Sequence, residues 1–177
     1  PVIDRIHRMK TSKKSFGIKC IVMVPTRELA AQIGEVLNEL SRHTKVTAFA
    51  VFGGVEQDRQ IEKLADGIDI LVATPGRMFD LISQGAIRIH QVDTLVLDEA
   101  DRMLDMGFLP DIKRILRHIP AKRQTLFFSA TMPAPIAALT REMLHDPAMI
   151  NLARKSAPAA GITQAVYPVR QELKAAL

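Results

Sequence analysis

Apolar residues in this chain follow two alternating rhythms. Unbroken or nearly unbroken runs at 20–24, 45–52, 68–73, 94–97 and 125–128 are separated by longer stretches in which apolar positions recur every three or four residues. A run that is apolar throughout has no wet face, so it predicts a strand buried on both sides of a sheet. The interval stretches predict amphipathic helices. Val2, Ile3, Ile6 and Met9 make the first, which starts with no cap before it. Leu29, Ile33, Val36, Leu37 and Leu40 make the second, with Thr26 as its N-cap. Ile61, Leu64 and Ala65 end at Gly67, and Phe79 and Ile82 end before Gly85. Ile112, Ile115, Leu116 and Ile119 start near Pro110 and stop at Pro120, and Ile136, Leu139 and Met143 run from Pro133 and Pro135 to before Pro147. A last short strand is expected over 149–152. Strand and helix in turn predict an α/β fold, an open parallel sheet with helices on both faces and right-handed crossovers.

This topology gathers the chain's unusual strings. Pro25-Thr26-Arg27-Glu28-Leu29-Ala30, Gly53-Gly54, Thr74-Pro75-Gly76-Arg77, Asp98-Glu99-Ala100-Asp101 and Ser129-Ala130-Thr131 each follow a predicted strand. In a parallel sheet all carboxyl ends lie on one rim, where such folds bind ligands. Leu95-Val96-Leu97 runs directly into three carboxylates within four positions. An acid there suits Mg²⁺, which takes one or two carboxylates and keeps several waters, so Asp98 is the candidate ligand. Glu99 is placed to orient or deprotonate a water attacking a phosphate. Helices starting after Thr26 and Thr74 offer free N–H groups and a positive dipole end, each beside an arginine, Arg27 or Arg77. Gly53-Gly54 lets a ligand approach the backbone closely.

Composition narrows the partner. The 177 residues are 47% hydrophobic and 24% charged, enough for one domain with a substantial core. No apolar run reaches the length of a membrane span and no signal-peptide pattern is present, so the expected location is cytoplasmic. The single cysteine, Cys20, lies in an apolar run and reads as a core residue. A formal charge of +5 favours a polyanion such as nucleic acid.

In this order and at these spacings, the five strings resemble the first RecA-like domain of a DEAD-box RNA helicase, with an overall similarity to bacterial RhlE-type members. The resemblance covers nearly the whole chain. It implies a RecA-like sheet, ATP and Mg²⁺ as cofactors, and RNA as partner. Asp98 would hold Mg²⁺ through water and Glu99 would position the attacking water. Asp101, Ser129 and Thr131 would relay nucleotide state to the RNA site. Pro25, Thr26, Arg27, Gly53, Gly54, Thr74, Pro75, Gly76 and Arg77 would line the backbone of one RNA strand, through phosphate and 2′-hydroxyl contacts that ignore sequence.

The departures shape the expectation further. The chain contains no G-x-x-x-x-G-K-[ST] string, the loop whose amides cradle phosphates. In the family that loop precedes the helix resembling residues 2–9. Residues 1–152 are therefore expected to form a partial first domain without the phosphate-loop strand, with 153–177 leading as a linker into a second RecA-like domain. The chain alone is expected to lack ATPase activity, and the helix at 2–9 and the strand at 149–152 are expected to be the least anchored parts. An alternative is a stand-alone module that binds RNA or a protein without ATP, against which Asp98 and Glu99 speak.

Overall fold

The computed structural model describes residues 1–12, 17–152 and 165–176. The chain divides into two units, Pro1–His145 and Asp146–Leu177. The first unit contains α1 (Val2–Ser12), β1 (Cys20–Met23), α2 (Arg27–Ser41), β2 (Ala48–Val51), α3 (Gln57–Ala65), β3 (Ile70–Ala73) and α4 (Pro75–Ser83). It continues through β4 (Thr94–Leu97), α5 (Ala100–Asp105), α6 (Leu109–Leu116), β5 (Gln124–Phe127) and α7 (Ala134–Met143). All five strands are parallel, in the order β2-β3-β1-β4-β5. This is the RecA-like open sheet that the sequence predicts.

Alternation within the central strands explains why they are apolar throughout. Ile21, Met23, Leu71, Ala73, Leu95 and Leu97 face one cluster, which includes Met78, Leu81, Met103, Ile112, Ile115, Ile136 and Leu139 from α4 to α7. Cys20, Val22, Ile70 and Val72 face the other, with Ile6 of α1 and Ala30 of α2. Each large side chain buried this way contributes about 1.5–3 kcal/mol. Burial also pushes the Cys20 thiol up to about 12, with Asp93 adding to the shift, so it stays a neutral core residue.

The ladder runs one residue past four of the five strands and sets the loops at one level. Val24 N–H bonds Ala73 O at 3.0 Å, Thr74 N–H bonds Val51 O at 3.3 Å, Asp98 N–H bonds Met23 O at 3.0 Å and Phe128 N–H bonds Leu97 O at 2.8 Å. The five strings therefore leave the same rim.

Several elements differ from the sequence expectation. The inner face of α2 is Ala30, Gly34 and Ser41, with Leu29, Ile33 and Leu37 half-buried, whereas Val36 and Leu40 are exposed. The helix sits so close on β2 that a Cβ on Gly34 would lie 3.0 Å from the Ala50 Cβ, leaving no room there for larger residues. Strand β2 is shorter than 45–52 because its predicted start folds into a polar knot. Thr47 N–H and Oγ1 both donate to Asp69 Oδ2, at 2.8 and 2.9 Å, and Lys10 Nζ joins them at 2.8 Å. Lys10 in that knot, the buried Ile6 and an Arg5–Asp93 bridge of 3.2 Å join α1 to the rest of the unit. Edge strand β5 is only partly covered: Gln124 is exposed, Thr125 to Phe127 are half-buried, and Phe128 beyond it is exposed.

In the second unit the strand expected at 149–152 does not form. Met149, Ile150 and Leu152 are exposed, and without a neighbouring strand an extended segment gains no ladder bonds. A short 3₁₀ helix spans Gln171–Ala176. Of the expected linker at 153–177, residues 153–164 and 177 lie outside the described residues, as do residues 13–16 between α1 and β1.

Candidate functional site

The acidic end of β4 is shaped by one unusual backbone conformation. Glu99 is left-handed, at φ 51 and ψ 49, a state that costs a non-glycine residue on the order of 1–3 kcal/mol and persists where surrounding bonds dictate it. Those bonds are present on both sides. Asp98 Oδ1 accepts from Glu99 N–H at 2.9 Å, and Ala100 N–H donates to Phe128 O at 3.1 Å. Glu99 thus turns sharply from strand to helix α5 at the rim. Its carboxylate meets Arg102 Nη1 at 3.1 Å, an open pair worth under about 1 kcal/mol.

The third carboxylate is held much more tightly. Asp101 Oδ2 accepts from Thr131 N–H at 2.8 Å and from Thr131 Oγ1 at 2.7 Å, while Oδ1 accepts from Arg102 N–H at 3.1 Å. Asp101 N–H donates to Ser129 Oγ at 3.2 Å, and Ser129 Oγ donates to Thr131 O at 2.7 Å. Burial pushes the Asp101 carboxyl up, but the bonds from Thr131, Arg102 and Ser129 outweigh it and hold the group below its ordinary value. The three residues expected to act together do meet, forming a latch between the ends of β4 and β5.

The other strings enclose a groove of about 500 Å³. Pro25, Thr26, Arg27, Gly53, Thr74, Gly76 and Arg77 line it, seven of the nine residues expected on the RNA face. The remaining two support it. Pro75 is buried in the first turn of α4, and Gly54 lies beneath Arg27. Gly54 has φ +80, and a Cβ there would strike Arg27 Nη1, so both the turn and the arginine require glycine. Thr26 caps α2 by accepting from Leu29 N–H at 3.3 Å. Thr74 occupies the N-cap of α4 but makes no side-chain cap bond. Arg77 is braced, with Nη2 donating to Val55 O at 3.3 Å and Nη1 to Gln60 Oε1 at 3.4 Å. Arg27 is exposed, its nearest acid being Glu28 at 4.0 Å, and stays open to an anion.

Sequence reasoning missed several participants. Glu28, Asp80, Met106 and Phe108 also line the groove, the last two brought in by α5 and the turn after it. Gln60 is buried inside α3. The available signal was a polar residue four positions before Leu64, on the inward stripe of that helix.

A Mg²⁺ ion fits the acidic end in one specific way. Asp98 Oδ1 is taken by Glu99 N–H, and Oδ2 has no partner among the described residues, which suits a bond to a metal-bound water. No group of three His, Cys, Asp or Glu side chains that could hold an ion directly occurs among the described residues. The triphosphate fits less completely, since no phosphate-cradling string occurs in the 177 residues.

Comparison with known proteins agrees with this geometry. Residues 1–139 match the family described as DEAD/DEAH box helicase. The chain is 44% identical to the ATP-dependent RNA helicase CshA of Listeria monocytogenes over 97% of its own length and 33% of that protein. It is 39% identical to the RNA helicase CrhR of Synechocystis over 96% of its length and 33% of the relative. The chain thus spans about a third of the length of these curated relatives. A crystal structure of a hypothetical ATP-dependent RNA helicase from Sulfolobus tokodaii superposes with a TM-score of 0.69 at 37% identity, covering 73% of this chain and 39% of that one. These names do not speak for the RhlE type in particular. A match running from the first helix into α7, through every string on the rim, places the chain in the DEAD/DEAH box helicase family.

Proposed function

We propose that this chain is the central part of the first RecA-like domain of an ATP-dependent RNA helicase, in which ATP binding and hydrolysis drive local separation of an RNA duplex. The observation that carries the proposal is the latch of Asp101 with Ser129 and Thr131. It ties the acidic turn to the end of β5, on the same rim as a groove bearing two arginines and two helix starts. A site that only bound RNA has no use for a partnerless carboxylate oxygen beside a strained, water-facing glutamate.

Each residue then has a task. Asp98 would hold Mg²⁺ through water, and Glu99 would orient or deprotonate the attacking water. Bound MgATP supplies the phosphoanhydride and neutralises charge on its phosphate oxygens. Pro25 to Arg27, Gly53, Gly54 and Thr74 to Arg77 follow one RNA strand by its phosphates and 2′-hydroxyls, giving binding that is independent of sequence and sensitive to salt. Residues 1–152 belong to the first domain, and 153–177 lead towards a second RecA-like domain of the parent chain that supplies the opposing arginines. A cytoplasmic place belongs to the same reading, and no described helix is long and apolar enough to cross a membrane.

In the full-length parent, RNA should stimulate phosphate release from ATP, and Glu99→Gln should abolish it while nucleotide still binds. The 177 residues alone should release none. Undiminished turnover in Glu99→Gln, or Mg²⁺-dependent hydrolysis by the isolated chain, would overturn the assignment.

A further inference from the structure

Helix α3 carries none of the strings that mark the site, yet its one buried side chain, that of Gln60, bonds to two of the residues around it. Gln60 uses both ends of its amide. Nε2 donates to Phe52 O at 3.1 Å, and Oε1 accepts from Arg77 Nη1 at 3.4 Å. A carbonyl only accepts and a guanidinium only donates, so this position needs a side chain that does both, which an amide provides. Arg77 then closes the circuit by donating from Nη2 to Val55 O at 3.3 Å. The residues on either side of Gly53-Gly54, Phe52 and Val55, are therefore held by Gln60 and Arg77 respectively, and Gln60 joins the two. Arg27 lies over Gly54. The base of α3 is fixed by Ile61 and Leu64 packed on the core and by Gln57 bonded to Gln84 at the end of α4.

We infer that Gln60 is a positioning residue, which holds the Gly53-Gly54 turn and the Arg77 guanidinium at a set separation so that both sides of the groove grip the RNA backbone as one unit. The inference rests on the RNA reading of the groove. It adds that the turn and the arginine are coupled through a residue that never touches RNA.

The test is titration of the full-length parent with single-stranded RNA across a salt series, with thermal melts alongside. Gln60→Met keeps length and helix propensity and removes both bonds. It should weaken binding about fivefold and lower the log-log salt slope by about 0.7, as loss of one phosphate contact does. Arg77→Ala should do the same, and the double variant should lose nothing further. Gln60→Glu keeps the acceptor for Arg77 but cannot donate to Phe52 O, so it uncouples the turn and should leave the slope as low as Gln60→Met does. A merely structural role would lower the melting temperature of both variants and leave their slopes at the wild-type value. If Gln60→Met does not fold, Gln60→Glu decides alone: a slope as low as that of Arg77→Ala supports the inference and a wild-type slope overturns it. Wild-type binding by Gln60→Met, or additive losses in the double variant, overturns it while the RNA reading stands. Unchanged binding by Arg77→Ala removes the RNA reading, and the inference with it.

Discussion

Gly54→Ala tests the groove through a single methyl group, and the neighbouring Gly53→Ala is its control. At Gly53 an added Cβ meets nothing within 4 Å and φ is not positive, so the substitution should be neutral or slightly stabilising, by up to about 1 kcal/mol through a less flexible unfolded chain. At Gly54 the backbone is left-handed, at φ +80, where alanine costs roughly 1–2 kcal/mol. The atom in the way is Nη1 of Arg27, the far tip of a flexible side chain. The clash is therefore relieved by rotation of Arg27 and adds little to the loss of stability, but the guanidinium leaves its place over the turn. Two readouts should separate. Against the control, Gly54→Ala should lower the melting temperature by about 2–4 °C for each kcal/mol lost in a chain of this length. In a titration of the full-length parent with single-stranded RNA it should reproduce the loss seen in Arg27→Ala, with a salt slope lower by about 0.7, and adding Arg27→Ala should change nothing more. A wild-type slope in Gly54→Ala would show that the position of the Arg27 guanidinium is irrelevant to RNA. Equal melting temperatures for the two alanine variants would show that the Gly54 backbone is not left-handed in solution.

Arg27→Ala and Arg77→Ala should each flatten the salt dependence of RNA binding by about 0.7 in slope while leaving nucleotide affinity without RNA unchanged; loss of ATP binding with the fold intact would move these arginines off the RNA face. The Asp101 latch predicts a pH effect of definite sign. Its native carboxyl lies below the ordinary value of 3.8, so its contribution to stability is complete above 3.8 and is lost as pH falls through the lowered native value. Acid unfolding of Asp101→Asn should therefore show a deficit that is constant near neutrality and closes at low pH; a deficit that persists undiminished in acid would refute the assignment. Hydrogen exchange should show strong protection of Thr94 to Leu97 and little at 149–152, and equal protection would mean that the latter have found a strand partner in solution.

The parallel sheet was legible because burial on both faces favours apolar residues along a central strand, as Ile21, Val22 and Met23 in β1 show. The rim was legible for a related reason. Once the strands are parallel, their carboxyl ends must coincide, and the meeting of Asp101 with Ser129 and Thr131, 28 and 30 residues away, follows from β4 and β5 lying side by side. What stayed hidden depends on distances between elements. In α2 the apolar stripe pointed to Val36 and Leu40, yet close approach to β2 selects Gly34 and Ala30 for the inside, and hydropathy carries no measure of that approach. Helix α5 has only six residues, too few for a period to declare itself, so the arrival of Met106 and Phe108 at the groove was invisible. For Gln60 the inward stripe of α3 marks a polar residue facing the core, but its partners, Phe52 O and Arg77, come only with the fold. Residues 149–152 make the same point from the other direction. Their short, mostly apolar run reads as a strand, but a strand is stabilised by the N–H and C=O groups of its neighbour, and the described ladders do not include these residues. An apolar run states only that a segment is ready to pair, whereas its conformation is decided by the edge it meets.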